Sequence, residues 1–416
     1  MIAVHSTRAL DRIRANQLGK EISDFSDFLM RRGHSRNVAL AYMRATEHLG
    51  HWMCLNRIPA QELTESVAKR FLGHLPKCTC VPPASRDINT LRAAVRQFLR
   101  HLRQQGRIPV AALPRLTAIE LEVLRFDRHL LETCGLAPNT RLYRRRYVRQ
   151  FLKSTFGRGD VAPDEIRPQD IMAFIAKKSA AFTRGTAKVI STALQSYLRY
   201  LQLEGRLSDV RLLSAIPSIP LWRLANIPKA LGADDLRLFL KSFDQTTTTG
   251  RRDYAMALFL TECGLRVSEI PDLKLTDVNW RELCFQVPKS KTHRARLLPL
   301  TPRLGRALAA YLRDGRPKST VRTLFLRHRA PCGQVTVNIV RGVMRRTYEK
   351  SGGAPWSGPH ALRHTVAARL MTGGTRIKDV ADILGHSSID TTTIYTKVDL
   401  PTLRNVSMPW PGRTRP

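Results

Sequence analysis

Apolar positions in the first half of the chain recur with a helical period. Phe98, Leu99 and Leu102 fall at i, i+1 and i+4 on one face with Arg and Gln opposite, and Tyr197, Leu198 and Leu201 repeat the arrangement. The two segments belong to copies of one unit. FLRHLRQQGRI (98–108) reads against YLRYLQLEGRL (197–207) at an offset of 99. LMRRGHSRNVALAY (29–42) reads against LETCGLAPNTRLYR (131–144) at 102, keeping Leu29/Leu131, Gly33/Gly135 and Asn37/Asn139 in step. The three-residue difference between the offsets marks a small loop deletion. Each copy, about 90 residues, has room for four helices of ordinary length. Gly106 and Gly205 stand where a helix takes its C′ residue, a left-handed position that favours glycine. Two copies are too few for a solenoid.

The pattern changes beyond residue 228. Pro-rich stretches, GRIPVAALPRLT (106–117) and AIPSIPLWRLANIPKAL (215–231), stop any helix from running through. They divide the chain into a tail (1–16), a helical block (17–110), a second helical block (117–210), a linker (211–227), a third block (228–400) and a C-terminal tail (401–416). LGADDLRLFLKSF (231–243) predicts an amphipathic helix whose acidic first turn suits its dipole. RRDYAMALFLTECGL (251–265) predicts a mostly buried one. Leu283, Phe285 and Val287 alternate ahead of a basic turn and then Leu297, Leu298 and Leu300, predicting a hairpin or three-stranded sheet. From His360 the helical period returns. The expected fold is mainly α with a small β-sheet, the third block being mixed α/β.

Charge narrows the partner. The 416 residues carry 69 Lys plus Arg against 33 Asp plus Glu, a formal charge of +36. Residues 227–416 hold 32 basic and 15 acidic side chains and residues 1–226 hold 37 and 18, so both halves are basic, +17 and +19. Such self-repulsion is tolerable when a polyanion supplies the counter-charge. Nucleic acid leads, with an acidic membrane surface second. The 43% hydrophobic content builds real cores and excludes a disordered basic tail protein. No window approaches about 18 uninterrupted apolar residues, so no membrane span is expected. MIAVHSTRALDRIRANQ lacks the apolar stretch of a signal peptide. The seven cysteines (54, 78, 80, 134, 263, 284, 332) suit a reducing compartment, and a cytoplasmic location is expected. Only Cys78-Thr79-Cys80 is closely spaced. With no second Cys or His pair nearby in sequence, it reads as a structural or incidental pair.

Four segments of the third block hold residue types that one reaction would need together: Gly264-Leu-Arg-Val-Ser-Glu269, Ser290-Lys-Thr-His-Arg-Ala-Arg296, His360-Ala-Leu-Arg-His364 and Leu384-Gly-His-Ser-Ser-Ile-Asp-Thr-Thr-Thr-Ile-Tyr395. Singly each has an ordinary reading. Arg266 and Glu269 make a helix ion pair, Lys291 is a hairpin charge and Tyr395 a core tyrosine. His360 and His364, at i and i+4, have the spacing to share a metal. However, no Glu between them serves as base, and the Arg363 cation would repel Zn²⁺. No metal is expected there.

As an ordered set these segments resemble the tyrosine recombinases, the phage-integrase family. That family's pattern is Arg in G-L-R-x-S-E, a Lys on a β-hairpin, H-x-x-R-H, L-G-H and a Tyr nine residues on. Here the positions are Arg266, Lys291, His360 with Arg363, His386 and Tyr395. The resemblance covers 228–400 as catalytic domain and, more loosely, 117–208 as the helical core-binding domain; 20–108 looks like an extra core-binding-type domain. It implies that Tyr395 attacks a DNA phosphodiester, giving a 3′-phosphotyrosyl link and a free 5′-hydroxyl. Arg266 and Arg363 would answer the charge on the non-bridging oxygens. Lys291 would protonate the leaving 5′-oxygen, His360 would accept the tyrosine proton, and His386 would hydrogen-bond a phosphate oxygen. Glu269 and His364 are read as supports. Lys289, His293, Arg294 and Arg296 are expected on backbone phosphates.

No cofactor, metal or ATP is expected. The expected partners are double-stranded DNA at specific sites and further copies of the chain in a synaptic tetramer, with or without related recombinases, acting on a mobile element. A catalytically silent DNA-binding regulator and a DNA-relaxing topoisomerase are the competing readings. The intact residue set argues against the first. Shared chemistry leaves the second open. Pro401, Pro409 and Pro411 argue against a terminal docking helix, although Leu400, Leu403 and Trp410 could anchor the tail.

Overall fold

The computed structural model describes residue 13 and residues 15–80, 87–108, 116–157, 159–207, 209, 211–220, 230–288, 295–353, 356, 358–386 and 392–393. The chain forms two compact units, Ala112–Ala225 on its own and Met1–Ala111 together with Asn226–Pro416. Both breaks fall inside the Pro-rich stretches. Within the larger unit the first and third blocks touch, the amide of Cys332 donating to the carbonyl of Arg32 at 3.3 Å.

The first block contains the helices Gly19–Arg31, Arg36–Leu55, Glu65–His74 and Ile88–Gln104. The second contains Ala118–Glu132, Pro138–Phe156, Pro168–Ala181 and Arg184–Leu203, then a short turn of helix at Arg211–Ser214. Hydroxyl and carboxylate caps start most of them. Ser35, Thr64, Asp87, Thr117 and Thr183 each accept an amide three residues on, satisfying a donor the helix cannot. Gly33 and Gly135 adopt φ of 79° and 58°, Gly106 and Gly205 68° and 66°, the left-handed turns that glycine makes without strain.

Each copy then closes by the same device. The arginine after the last glycine reaches back to the first helix. Arg107 binds Glu21 at 2.8 Å and Asp24 at 3.0 Å. Arg206 forks onto both oxygens of Glu122 at 3.0 and 2.9 Å, and the Tyr197 hydroxyl donates to the same carboxylate at 3.1 Å. The copies differ between their third and fourth helices, where the first block inserts residues 75–87 and the second only 182–183. Each has its own core, around Phe25, Leu49, Phe71 and Phe98 in one and Phe126, Phe151, Leu194 and Tyr197 in the other. Burying such a side chain stabilises by about 1.5–3 kcal/mol.

The third block is built on the helix Thr248–Thr261, buried continuously from Tyr254 to Thr261. Against it pack Pro302–Asp314, Val337–Lys350 and His360–Thr372; Ala233–Lys241 joins the same core through Leu236, Phe239 and Leu240, and Ile377–Leu384 packs on His360–Thr372. A three-stranded antiparallel sheet, β1 (Val278–Asn279), β2 (Cys284–Val287) and β3 (Arg296–Pro299), lies in the order β1-β2-β3. Phe285 meets Phe259 edge-on, ring centres 4.9 Å apart. The apolar alternation is narrower than the sequence suggests. Leu283 precedes β2 at a φ of 49° and is 62% exposed. Leu297 is 67% exposed, because its neighbour Leu298 faces the core and successive strand residues point opposite ways. A second pairing joins Leu326–Arg327 to Gly333–Gln334. Among the described residues no helix is long and apolar enough to cross a membrane.

Candidate active site

Two glycines bring the site's segments together. Gly264, at the turn after Thr248–Thr261, has a φ of 62°, and a Cβ there would lie 2.6 Å from Leu384 Cδ2 and 3.3 Å from Val366 Cγ1. Gly385 ends the helix Ile377–Leu384 in the left-handed region, φ 63° and ψ 50°. A Cβ there would lie 2.5 Å from Arg296 Nη1. Any larger residue would push the G-L-R turn away from the helix that carries Leu384, or the L-G-H turn away from β3.

Two arginines knit these turns. Arg363, on the helix His360–Thr372 and only 5% exposed, donates to the carbonyl of Gly264 at 2.6 Å and to that of Leu384. Arg266 donates to the carbonyl of Gly385 at 2.8 Å and to Glu269 Oε1 at 3.0 Å. Glu269, 2% exposed, also accepts the Arg266 amide at 2.8 Å and a two-point contact from Arg296 at 3.2 and 2.6 Å. Burial pushes the Glu269 carboxyl up, but the hydrogen bonds and charge of Arg296 and Arg266 outweigh it and hold it below the ordinary carboxylate range. Arg296 therefore turns inward onto Glu269 with its side chain 8% exposed. It does not stand on the hairpin surface as the phosphate contact expected from the sequence, because the buried carboxylate needs a second cation.

The histidines sit in the field of these guanidiniums. His386 is buried, its amide bonds the carbonyl of Ala381, and its Nδ1 is 2.7 Å from the buried Thr392 hydroxyl. Burial, then Arg363, Arg266 and Arg296, lower its pKa to about 4. His360 opens its helix with an edge in solvent. The protein around its ring lowers its pKa, and Arg363, Arg341 and Arg266 lower it further. His364, one turn on, is lowered by burial, His360 and Arg363. In all three the shift favours the neutral imidazole. Three guanidiniums against one carboxylate make a cationic pocket that an anion would relieve.

Arg266, Glu269, Arg363 and His386 thus come together, with His360 and His364 on the helix that carries Arg363. Lys291 and Tyr395 lie outside the described residues, as do Lys289, His293 and Arg294. Thr392 went unread in the sequence, where its only signal is the Thr391-Thr-Thr393 run between L-G-H and Tyr395. The reading of Cys78 and Cys80 as an isolated pair is corrected. His74, four residues before Cys78, and His48, 30 residues before it, stand beside them, the ligand atoms of all four within 4.8 Å of one another.

Residues 229–400 match the family model described as the phage integrase family. A candidate integrase/recombinase, y4rA of Sinorhizobium fredii, is 32% identical over 99% of this chain and 99% of its own length. The tyrosine recombinase XerD of Listeria monocytogenes is 31% identical over 68% of this chain and 95% of its own. The fold is similar to that of the XerH site-specific recombinase bound to its difH substrate (TM-score 0.53, 19% identity, covering 70% of this chain and 97% of that one). It is similar also to a lambda integrase dimer bound to a core site (TM-score 0.53, 17% identity, 66% and 94%).

Proposed function

The chain belongs to the tyrosine recombinases, the phage-integrase family of DNA-breaking and rejoining enzymes, and on that premise we propose how its own residues carry the reaction. Tyr395 Oη attacks a DNA phosphodiester, breaking its P–O5′ bond to form a 3′-phosphotyrosyl bond and release a 5′-hydroxyl; a 5′-hydroxyl of the partner strand then attacks that phosphorus, expelling Tyr395 and joining the exchanged strands. The phosphodiester energy is kept in the covalent link, so rejoining needs no ATP. The observation that carries this reading is the pairing of Arg266 and Arg363, tied to the carbonyls of Gly385, Gly264 and Leu384. Guanidiniums fixed in this way are preorganised for charge developing on the two non-bridging oxygens, where such donors act without reorganisation.

His360, neutral because its surroundings lower its pKa, accepts the Tyr395 proton. Lys291 protonates the departing 5′-oxygen, and His386, oriented by Thr392, hydrogen-bonds a phosphate oxygen. Glu269 positions Arg266 and Arg296. Lys289, His293 and Arg294 grip neighbouring phosphates. The helical blocks 17–110 and 117–210 hold the duplex against the catalytic domain 228–400, and copies of the chain assemble as a tetramer on a mobile-element site.

Tyr395→Phe tests the assignment. Incubated with a nicked site-bearing duplex, the variant should form no covalent protein–DNA adduct while shifting the same duplex as the wild type does. An adduct formed by that variant would sink the proposal. The duplex comes from binding-site selection with the full-length protein, and a footprint without sequence preference would favour DNA relaxation over recombination.

A further inference from the structure

His48, His74, Cys78 and Cys80 lie in the first block, far along the chain from the catalytic residues. His48 sits on the helix Arg36–Leu55 and is 3% exposed. His74 is the last residue of Glu65–His74, and the 3₁₀ turn Leu75–Lys77 brings the chain round to Cys78 and Cys80. Cys78 Sγ is 3.4 Å from His48 Nε2, and Cys80 Sγ is 3.7 Å from His74 Nε2. In a tetrahedral zinc site, Zn–S of about 2.3 Å and Zn–N of about 2.0–2.1 Å put each S···N edge at about 3.5–3.6 Å. The two measured separations bracket that edge.

The surroundings favour the ligating forms. His74 Nδ1 contacts the carbonyl of Phe71, which only accepts, so Nδ1 carries the proton and Nε2 presents its lone pair to the cluster. A backbone carbonyl on the far nitrogen is the usual support of a metal-bound imidazole. Trp52 stacks on the His74 ring at 5.4 Å and Phe71 packs against both histidines, giving the cluster an apolar wall.

The second copy of the helical block isolates the feature. At the 102-residue offset His48 corresponds to Gln150, and there the third helix passes to the fourth through residues 182–183 alone. The two cysteine ligands belong to the segment 75–87, which the first copy has and the second replaces with two residues. That insertion would otherwise be a long connection with few apolar residues to hold it down.

We propose that His48, His74, Cys78 and Cys80 bind one Zn²⁺ as a four-coordinate structural site that staples the 75–80 segment to the helix Arg36–Leu55. Two thiolates and two imidazoles are a borderline-soft set that suits zinc. With all four positions filled by protein there is no open site for chemistry. The metal therefore holds the first block and takes no part in strand cleavage.

The test uses the full chain, expressed with zinc and purified under reducing conditions without chelator. Elemental analysis should find one zinc per chain, falling to background in Cys78→Ser/Cys80→Ser. Chelator-stripped wild type titrated with Co²⁺ alone should give the strong visible bands of tetrahedral cobalt with thiolate charge transfer, saturating at one equivalent. The stripped wild type should also melt at a lower temperature than the zinc form. The cobalt arm stands even where the double variant does not fold. Substoichiometric zinc together with only the weak spectrum of octahedral cobalt would overturn the proposal. So would full zinc content in the double variant, or a Cys78–Cys80 disulfide found in the reduced preparation's tryptic map.

Discussion

Glu269 is a carboxylate closed in by two guanidiniums at 2% exposure. Removing one partner of a buried ion pair costs more than the pair contributes, because the remaining charge is stranded. Glu269→Ala should therefore destabilise the protein by about 3–5 kcal/mol in urea unfolding, with the loss reduced when Arg296→Met is added. Equal losses in the single and double variants would show that Arg296 does not depend on Glu269. Glycine tests the packing of the turns. Gly264 and Gly352 share left-handed backbones of φ 62° and 70°, but a Cβ at Gly352 meets open space. Gly352→Ala should cost about 1–2 kcal/mol of backbone strain, and Gly264→Ala about 1–3 kcal/mol beyond that for overpacking. Both differences are readable as melting temperatures. His328 and His386 are two of the histidines that contribute to the pH dependence. Burial first, then Arg252 for His328 and Arg363, Arg266 and Arg296 for His386, lower both to about 4. The unfolded chain keeps histidine near 6.5, so below that pH it binds protons that the fold does not. Stability should be full above about pH 6.5 and fall progressively toward pH 4. His328→Gln should flatten part of that slope in urea midpoints measured at pH 7 and pH 5, and an unchanged slope would mean that His328 does not carry it.

The two helical copies ask what one motif is worth in two settings. Arg206 neutralises Glu122, which is 2% exposed, whereas the partners of Arg107, Glu21 and Asp24, are 22% and 40% exposed. Arg206→Ala should cost about 3–5 kcal/mol, because the buried Glu122 would keep only the Tyr197 hydroxyl and the exposed Arg125 at 3.7 Å, and Arg107→Ala about 1 kcal/mol or less. Comparable losses would show that exposure does not set the value of the device. The contrast also marks what the sequence could reveal. Periodicity and the four glycines, 33, 106, 135 and 205, report local backbone, so helices, turns and the duplication were readable. The arginine's return to the first helix spans 84 residues in the second copy and leaves no periodic trace. The same holds for Arg296 with Glu269, 27 apart, and for His48 with Cys78, 30 apart. In the candidate site, the ordered motif made Arg266, His360, Arg363 and His386 legible. Which cation would be buried as a support was not, since Arg294 and Arg296 look alike in a basic stretch and it is the β2–β3 register, with Arg296 opposite the buried Val287, that turns Arg296 inward.

At the scale of the whole molecule, the charge of +36 and the pocket built on Arg266 and Arg363 make separable contributions. Each cation that displaces a condensed counterion steepens the salt dependence of binding, with log Kobs falling by about 0.9 per phosphate contacted for each decade of salt. A charge divided almost evenly between the halves fits many contacts along the duplex, and about 6–10 of them would weaken binding by roughly 10³–10⁵ between 50 and 200 mM salt. On the proposed mechanism Arg266 and Arg363 meet one phosphate between them and add little to that slope. Arg266→Ala should slow adduct formation by about 10²–10³, the usual effect of removing one preorganised donor to a developing anion, while moving the salt slope by no more than about one contact. Tyr395→Phe should leave the slope unchanged. Gel-shift titrations across that salt range, run beside adduct assays, separate the two roles. A shallow wild-type slope would mean that most of the positive charge grips no phosphate at all, and a large fall in slope for Arg266→Ala would mean that binding and chemistry share one set of cations.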